Sequence, residues 1–354
     1  MTAFWASADW DEHERVELVH DRASGLTAII AVHSTHLGPG AGGVRFWHYA
    51  DPADAMTDAL RLSRGMSYKN AMAGLPMGGG KGVVLLDAER SRTPAMLAAL
   101  GDAIEALGGR YVTAEDVGAS EADMVAIARR TGHVSGLPVG PGVAGGDPGP
   151  FTARGIFLGL KAAVEHRLGR DSLAGVHVAL QGCGSVGGGL ARLLAAEGAR
   201  LTLADIDPLR ANRLAAELGA QVVDARQVMA VPCDVFSPNA LGAVLDAQGV
   251  EMLDCAIVAG GANNQLARPE DGVALAKRGI LYAPDYVINA GGIINVSVEY
   301  LARQKGESGD LAEVERMIAA IPDRLRAIWQ ESEATGLGAD LVADRMAQIL
   351  IGRG

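Results

Sequence analysis

Aromatic side chains are scarce in this sequence: Phe, Trp and Tyr together make up 4% of its 354 residues. Ala, Val and Leu must therefore fill most of any hydrophobic core. Hydrophobic residues still make up 49% of the chain and charged residues 21%, which excludes an intrinsically disordered protein. The chain is longer than one compact core usually supports, so its length predicts two domains.

Signals for metal binding and for disulfides are also missing. Cys183, Cys233 and Cys255 are odd in number and far apart, which excludes a disulfide framework and a zinc clip. His33 and His36 stand three residues apart, but no further ligand follows at a suitable spacing. We therefore predict no metal site, and we interpret the histidines as structural and the cysteines as small buried hydrophobes.

An excess of positive charge is lacking as well. The formal net charge is -11, which disfavours nucleic acid and anionic membranes as partners. No apolar stretch is long enough to cross a bilayer, and Met1 to Trp5 lacks the basic and apolar regions of a signal peptide. These features favour a cytoplasmic protein.

Alternating helix and strand patterns predict an α/β fold. Helices are predicted to begin at Asp51-Pro52 and at Thr93-Pro94, where an N-cap residue precedes a proline at the first helical position. The stretch from Gly132 to Pro150 is rich in Gly and Pro and marks a domain boundary. We predict a first α/β domain over residues 1–147, a second domain over 148–330, and a helical segment over 331–354 that packs back on the first domain.

In the second domain, short and continuously apolar runs alternate with helical patterns. This alternation is typical of a parallel sheet covered by helices on both faces, as in a doubly wound Rossmann-type domain. The predicted strands are residues 176–181, 201–204, 221–223, 234–236, 256–258 and 286–288.

A dinucleotide-binding fingerprint follows the first of these strands. Gly182, Gly184 and Gly187 form a G-x-G-x-x-G at the start of a predicted helix, so the amides of Ser185 and Val186 stand at its N-terminus. The next strand ends at Asp205, where a carboxylate accepts hydrogen bonds from a ribose diol and repels a 2'-phosphate. The fingerprint predicts NAD as cofactor. A glycine-rich turn followed by an unrelated Asp is the structural alternative, and Arg210 nearby is the one feature that does not favour NAD over NADP.

A second glycine-rich segment, Tyr68 to Gly82, contains two lysines. It is not a phosphate-binding P-loop, because the glycine spacing is wrong and Gly82 stands where Ser or Thr would bind magnesium. Lys69 and Lys81 lie among small and apolar residues, which favours an anion-binding cleft. The alternative is a pair of solvated surface lysines.

This segment resembles the two-lysine motif of the glutamate/leucine/phenylalanine/valine dehydrogenase superfamily, and the chain is most similar to its leucine dehydrogenase-like members. The resemblance runs from roughly residue 28 to residue 300. It includes the segments 37–45, 68–82, 113–118, 234–238, 261–266 and 283–292.

The resemblance implies roles that the residue chemistry supports. Lys69 holds the substrate carboxylate, Lys81 acts on the water that adds to an imine, and Asp116 moves protons to and from the amino group or that water. The reaction is oxidative deamination of an L-amino acid to a 2-oxo acid and ammonia. Further residues implied in binding substrate are Gly42, Gly43 and Asn263, and those implied near the nicotinamide are Thr152, Pro238, Asn263 and Asn289. Capping or turn roles remain open for Thr152 and Asn289.

The same resemblance bears on the substrate. Ala41 stands where glutamate enzymes carry a lysine, so a side-chain carboxylate would lack a partner. Ala114, Ile293 and Val296 are implied to line an apolar pocket, which favours leucine, valine and isoleucine, with phenylalanine as the alternative substrate. The resemblance also implies a homo-oligomer.

Two competing functions use different residues. A dinucleotide-binding sensor of the same fold would need neither lysine of the glycine-rich segment nor Asp116. A 2-hydroxy-acid dehydrogenase would need a His–acid pair, and the sequence contains no convincing one.

Overall fold

The computed structural model describes residues 5, 7, 9–87, 91–240 and 242–354. Met1 to Phe4, which belong to the segment expected to lack signal-peptide features, lie outside the described residues. The chain divides into two compact units. The first contains the residues up to Gly146 together with 295–313 and 347–354, and the second contains 147–294 and 314–346. Both units are therefore built from separate segments, whereas the predicted boundaries divide the chain at residues 147 and 330.

The first unit contains a mixed six-stranded sheet. Its strands are β1 (Arg15–Asp21), β2 (Leu26–Ser34), β3 (Gly40–Ala41), β4 (Val44–Trp47), β5 (Gly78–Leu85) and β6 (Tyr111–Val112), and the helices of this region are α1 (Pro52–Met72), α2 (Pro94–Ala106) and α3 (Glu121–Ile127). The strand order is β1-β2-β5-β3-β6, and β4 also pairs with β5. Pairs β1–β2 and β2–β5 are antiparallel, while β3, β4 and β6 join in parallel.

Strand β5 is the central strand of this sheet. On one side it pairs with β2, and on the other it pairs first with β3 and then with β4. Gly42 and Gly43 lie between β3 and β4, opposite the middle of β5. The two predicted helix starts are confirmed: Asp51 accepts a hydrogen bond from the amide of Ala53, and Thr93 accepts one from the amide of Met96.

The second unit contains a parallel six-stranded sheet of the predicted doubly wound type. Its strands are β7 (His177–Gln181), β8 (Arg200–Ala204), β9 (Gln221–Val222), β10 (Val235–Pro238), β11 (Ile257–Val258) and β12 (Leu281–Tyr282), in the order β12-β11-β10-β7-β8-β9. Helix α4 (Gly149–Leu168) precedes these strands, the helices between them are α5 (Ser185–Ala196), α6 (Pro208–Leu218), α7 (Ala247–Met252) and α8 (Pro269–Lys277), and α9 (Asp285–Ile288) follows them. Four more helices follow: α10 (Gly291–Gln304), α11 (Leu311–Ala319), α12 (Ile321–Thr335) and α13 (Ala339–Leu350).

One local expectation was wrong. Residues 286–288 form the short helix α9 instead of a strand, and the last strand of the sheet is β12. A run of three apolar residues does not distinguish a strand from a buried helical turn. Here Asp285 accepts hydrogen bonds from the amides of Tyr286 and Gln265, and these bonds favour the turn. Strand β5 includes the whole glycine run, Gly78 to Gly80.

Among the described residues, no helix has the length and apolarity needed to cross a membrane. The described residues also contain no cluster of three or more His, Cys, Asp or Glu side chains that could hold a metal ion.

Candidate active site

The centre of the candidate site in the first unit is an ion pair between Lys81 and Asp116. Lys81 lies in the middle of β5, and its Nζ donates to Oδ2 of Asp116 over 2.7 Å. Asp116 follows β6, and the neighbouring Glu115 forms an isolated parallel bridge with Val44. The Lys81 side chain is 6% exposed and that of Asp116 is 22% exposed, so the pair is shielded on the lysine side and accessible on the aspartate side.

The electrostatics of this pair favour proton transfer. Burial lowers the pKa of Lys81 below its usual value; Asp116 opposes this effect, and Arg45 adds to it. Burial alone would raise the pKa of Asp116, but the charges of Lys81 and Arg45 outweigh it and hold that pKa below its usual value. An ionised carboxylate thus lies in contact with a lysine that loses its proton more readily than a solvated one.

Sequence reasoning missed two charged residues at this site. Arg45 in β4 donates from Nε to Oδ2 of Asp116 over 3.1 Å, and from Nη1 to Oδ2 of Asp58 over 2.8 Å. Asp58 lies on α1, 13 residues from Arg45 in sequence, and it also accepts a hydrogen bond from the hydroxyl of Tyr49. The one available signal was the position of Arg45 at the end of the glycine loop.

The loop between β3 and β4 consists of glycines because other backbone segments pass very close to it. A Cβ on Gly42 would overlap the carbonyl oxygen of Gly80, and one on Gly43 would overlap that of Glu115. The Gly42 carbonyl accepts a hydrogen bond of 2.8 Å from the hydroxyl of Tyr111. Only glycine fits at either position without movement of the neighbouring strand, so the predicted loop residues are part of the wall of the site.

Lys69 lies in the last turn of α1 and is partly exposed. The next residue, Asn70, is fully buried and donates from Nδ2 to the carbonyls of Gly78 and Ala41. These bonds tie the end of α1 to the glycine run of β5 and to β3. The helix end that carries Lys69 is thereby fixed to the strand that carries Lys81.

The predicted pocket residues have different surroundings. Ala41 and Ala114 are buried and lie in neighbouring parts of the first unit, where Val44 donates its amide to the Ala114 carbonyl. Val296, on α10, is buried near Gly136 in the same unit. Ile293 lies on the same helix, is partly exposed and belongs to the second unit.

The glycine fingerprint of the second unit forms a tight turn between β7 and α5. Gly182 has φ of +91°, which only glycine adopts readily. A Cβ on Gly187 would overlap the Gly182 carbonyl, so the third glycine allows the helix to pack against the turn. Gly184 is the N-cap residue of α5, and no neighbouring heavy atom lies within 4 Å of the position that a Cβ would take on it. The first amides of α5, including those of Ser185 and Val186, therefore face a position suited to an anion.

Asp205 follows β8 and holds this turn in place. Its carboxylate accepts hydrogen bonds from the amides of Cys183, at 2.7 Å, and Asp207, at 2.8 Å. Arg210 donates to it over 3.4 Å. A carboxylate has about four acceptor positions, so these bonds leave capacity for a ribose hydroxyl. A cavity of about 760 Å³ adjoins the turn, and its lining includes Gly184, Ser185 and Arg210.

The other predicted cofactor residues lie at the ends of strands or helices in the same unit. Asn289 donates from Nδ2 to Oδ1 of Asn263 over 2.8 Å, which leaves the amide group of the exposed Asn263 as a directed donor. The Oδ1 of Asn289 is buried and has no hydrogen-bond partner among the described residues. Thr152 donates its hydroxyl to the carbonyl of Pro148, four residues earlier, which is a bond within the first turn of α4 and not a cap. Pro238 ends β10.

Together these features fit a dinucleotide. The open cradle above Gly184 and the helix amides suit a pyrophosphate, and the unpartnered oxygen of Asn289 suits a carboxamide donor. The residues that would hold it are those of the turn, Asp205 and Asn289.

His33, in β2, is fully buried. Its Nδ1 contacts the hydroxyl of Ser67, and its Nε2 contacts Asp11 and Arg353. Burial and the nearby charges of Arg353 and His13 lower the pKa of His33 to about 3, so the ring is neutral in the folded protein.

Comparison with known proteins places these features in a family. Residues 13–133 match the family model described as the Glu/Leu/Phe/Val dehydrogenase dimerisation domain, and residues 209–344 match the glutamate/leucine/phenylalanine/valine dehydrogenase model. The chain is 44% identical to a leucine dehydrogenase of Thermoactinomyces intermedius, over 95% of the chain and 90% of that protein. It is 43% identical to a valine dehydrogenase of Streptomyces albus, over 96% of the chain and 93% of that protein. The crystal structure of an L-tryptophan dehydrogenase from Nostoc punctiforme superposes with a TM-score of 0.82 at 39% identity, covering 96% of each chain.

Proposed function

This chain belongs to the glutamate/leucine/phenylalanine/valine dehydrogenase family as a leucine dehydrogenase-like member, and we propose that it deaminates branched-chain L-amino acids with NAD. The amino acid, NAD⁺ and water give a 2-oxo acid, ammonium, NADH and a proton. The reverse reaction is the reductive amination of the 2-oxo acid. NAD, when bound, accepts the hydride from Cα of the substrate.

The observation that carries the proposal is the buried Lys81 in contact with Asp116. Once Cα is oxidised, the substrate is an imine, and water must add to its carbon. Lys81, whose pKa is lowered by burial, accepts a proton from that water. Asp116 is ionised and accessible, and it carries protons to and from the substrate nitrogen. Lys69 binds the substrate carboxylate as a point charge. A sensor that only binds a dinucleotide would require none of these three side chains.

The choice of NAD over NADP rests on Asp205. Its carboxylate lies at the end of β8 beside the glycine turn, where it accepts ribose hydroxyls and repels a 2'-phosphate. Arg210 offsets part of this repulsion, so the preference is expected to be strong without being absolute. Thr152, Pro238, Asn263 and Asn289 are proposed to orient the nicotinamide end or the substrate.

The substrate preference rests on the wall of the first unit and on the relatives. Ala41 and Ala114 offer no charge to a side-chain carboxylate, which disfavours glutamate. Val296 is proposed to line an apolar pocket with them, and Ile293 is proposed as a further substrate-binding residue. The relatives named above act on leucine and valine, and one structural neighbour acts on tryptophan. Because one methylene changes specificity by only about 1–3 kcal/mol, several branched-chain substrates should be accepted.

We also propose a homo-oligomer in which residues 1–147 provide substrate binding and subunit contacts and residues 148–330 bind NAD. The first matching family model describes a dimerisation domain. Size-exclusion chromatography with light scattering measures the assembly directly, and a monomeric mass would contradict this part of the proposal.

The function is tested by following NADH at alkaline pH with L-leucine, L-valine, L-isoleucine, L-phenylalanine, L-tryptophan and L-glutamate. We expect the highest kcat/KM with a branched-chain substrate and weak or no turnover of glutamate. NADP⁺ replaces NAD⁺ in a second series and should support much slower turnover. Highest activity with an aromatic substrate would reassign the specificity, and NAD binding without turnover of any amino acid would favour the sensor.

A further inference from the structure

Oxygen Oδ2 of Asp116 accepts hydrogen bonds from two cations at once. Lys81 donates to it over 2.7 Å, and Nε of Arg45 donates over 3.1 Å. The proposed reaction assigns a role to Lys81 and none to Arg45. Arg45 lies on a different strand, β4, which pairs in parallel with β5, the strand that carries Lys81.

Arg45 is itself held by two further groups. Its Nη1 donates to Oδ2 of Asp58 over 2.8 Å, and the hydroxyl of Tyr49 donates to the same oxygen over 2.7 Å. The side chains of Arg45 and Asp58 are 23% and 29% exposed, so these ion pairs are sheltered from solvent more than surface pairs are. One planar guanidinium thus bridges two carboxylates through two different nitrogens, which a lysine does not reproduce.

We propose that Arg45 is a positioning residue that orients the carboxylate of Asp116 towards Lys81, and that Asp58 and Tyr49 hold Arg45 in this orientation. The proposal rests on the proposed function for its kinetic consequences. Its geometric part concerns only residues of the first unit.

The arrangement has an electrostatic consequence with a definite sign. The charged groups near Lys81 are Asp116 in contact, Arg45 behind it and Asp58 on α1; Lys69 lies on the same helix, and the neutral hydroxyls of Tyr49 and Tyr111 lie nearby. Arg45 lowers the pKa of Lys81, whereas Asp58 raises it. Loss of the Arg45 charge should therefore raise the pKa of Lys81, and loss of the Asp58 charge should lower it. The two charges therefore act on the pKa of Lys81 in opposite directions.

The kinetic test compares Arg45→Gln, Arg45→Lys, Asp58→Asn and Tyr49→Phe in the full-length protein. We expect Arg45→Gln to lower kcat by about 10- to 100-fold, because misplacing a catalytic group can cost about 100-fold in rate, with a smaller effect on KM. The acidic limb of its pH–rate profile should move to higher pH, and that of Asp58→Asn to lower pH. Arg130→Gln is the matched control, since it removes an exposed bidentate Arg–Asp pair with Asp102 in the same unit and should change neither.

A second measurement does not depend on turnover. The pH dependence of Lys81 acetylation by acetic anhydride, followed by peptide mass spectrometry, reports when this amine loses its proton. Labelling should begin at higher pH in Arg45→Gln and at lower pH in Asp58→Asn. Tyr49→Phe removes one bond to Asp58 and leaves both charges in place, so it is the variant to measure if a charge variant does not fold. Unchanged labelling profiles, or shifts in the same direction, would overturn the proposal. A wild-type protein with no amino-acid turnover would refute the proposed function, and the labelling result would still decide the role of Arg45.

Discussion

Replacing Gly42 with alanine tests whether close backbone approach builds the wall of the site. A Cβ at this position would overlap the carbonyl oxygen of Gly80 in β5 and lie 2.9 Å from Cγ of Met66. The first atom belongs to a central strand that cannot move without disturbing Lys81, one residue further on. Gly42→Ala should therefore destabilise the fold by about 1–3 kcal/mol, as overpacking generally does.

The matched control is Gly65→Ala. Gly65 lies inside α1 with no neighbouring atom within 4 Å of an added Cβ. Alanine there should stabilise the helix by about 0.5–1 kcal/mol. A change of 1 kcal/mol shifts the melting temperature by about 2–4 °C in a unit of this size. Thermal unfolding followed by circular dichroism should show a lower transition for Gly42→Ala and an equal or higher one for Gly65→Ala. A Gly42→Ala protein that melts like the wild type and keeps its kcat would show that close backbone approach at this position does not shape the site.

Two further predictions concern other parts of the molecule. Gly187→Ala places a Cβ against the Gly182 carbonyl, so it should open the turn and weaken NAD binding at least about tenfold, which isothermal titration calorimetry measures directly; unchanged affinity would contradict the assigned role of the turn. His33 is neutral in the folded protein because its pKa is lowered to about 3, whereas in the unfolded chain it takes up a proton below about pH 6.5. Its contribution to the free energy of unfolding is therefore full above about pH 6.5 and is lost as the pH falls towards 3. His33 contributes up to about 1.4 kcal/mol per pH unit to the slope of the free energy of unfolding between about pH 7 and pH 5. His33→Gln should therefore flatten the pH dependence of the urea midpoint in this range, and an unaltered pH dependence would show that another group is responsible.

Local signals predicted a large part of the fold. The starts of α1 and α2 were readable because an N-cap and a proline act within one turn, and the glycine fingerprint was readable because its neighbours in sequence are also its neighbours in space. The parallel sheet of the second unit followed from its apolar runs. Helix α9 was not predicted, because three apolar residues carry no period and the bonds of Asp285 decide the conformation.

The charged part of the site depends on contacts that are distant in sequence. Lys81 and Asp116 were recognised through motifs, but their contact spans 35 residues and follows from the strand order of the sheet. Arg45 meets Asp116 across 71 residues, and no local pattern indicates that bond or the one to Asp58. The division of the chain between the two units was unreadable for the same reason, because the segment 295–313 packs with residues far from it in sequence.

Lys81 is proposed to perform proton transfer in the oxidation of an L-amino acid. The most direct test measures NADH formation from L-leucine by wild-type protein and by Lys81→Met, with NAD affinity measured in parallel. We expect the substitution to lower kcat by about 10²- to 10⁴-fold, as loss of a general base does, while NAD still binds through the second unit. A Lys81→Met protein that oxidises leucine at the wild-type rate would show that Lys81 is not the proton acceptor.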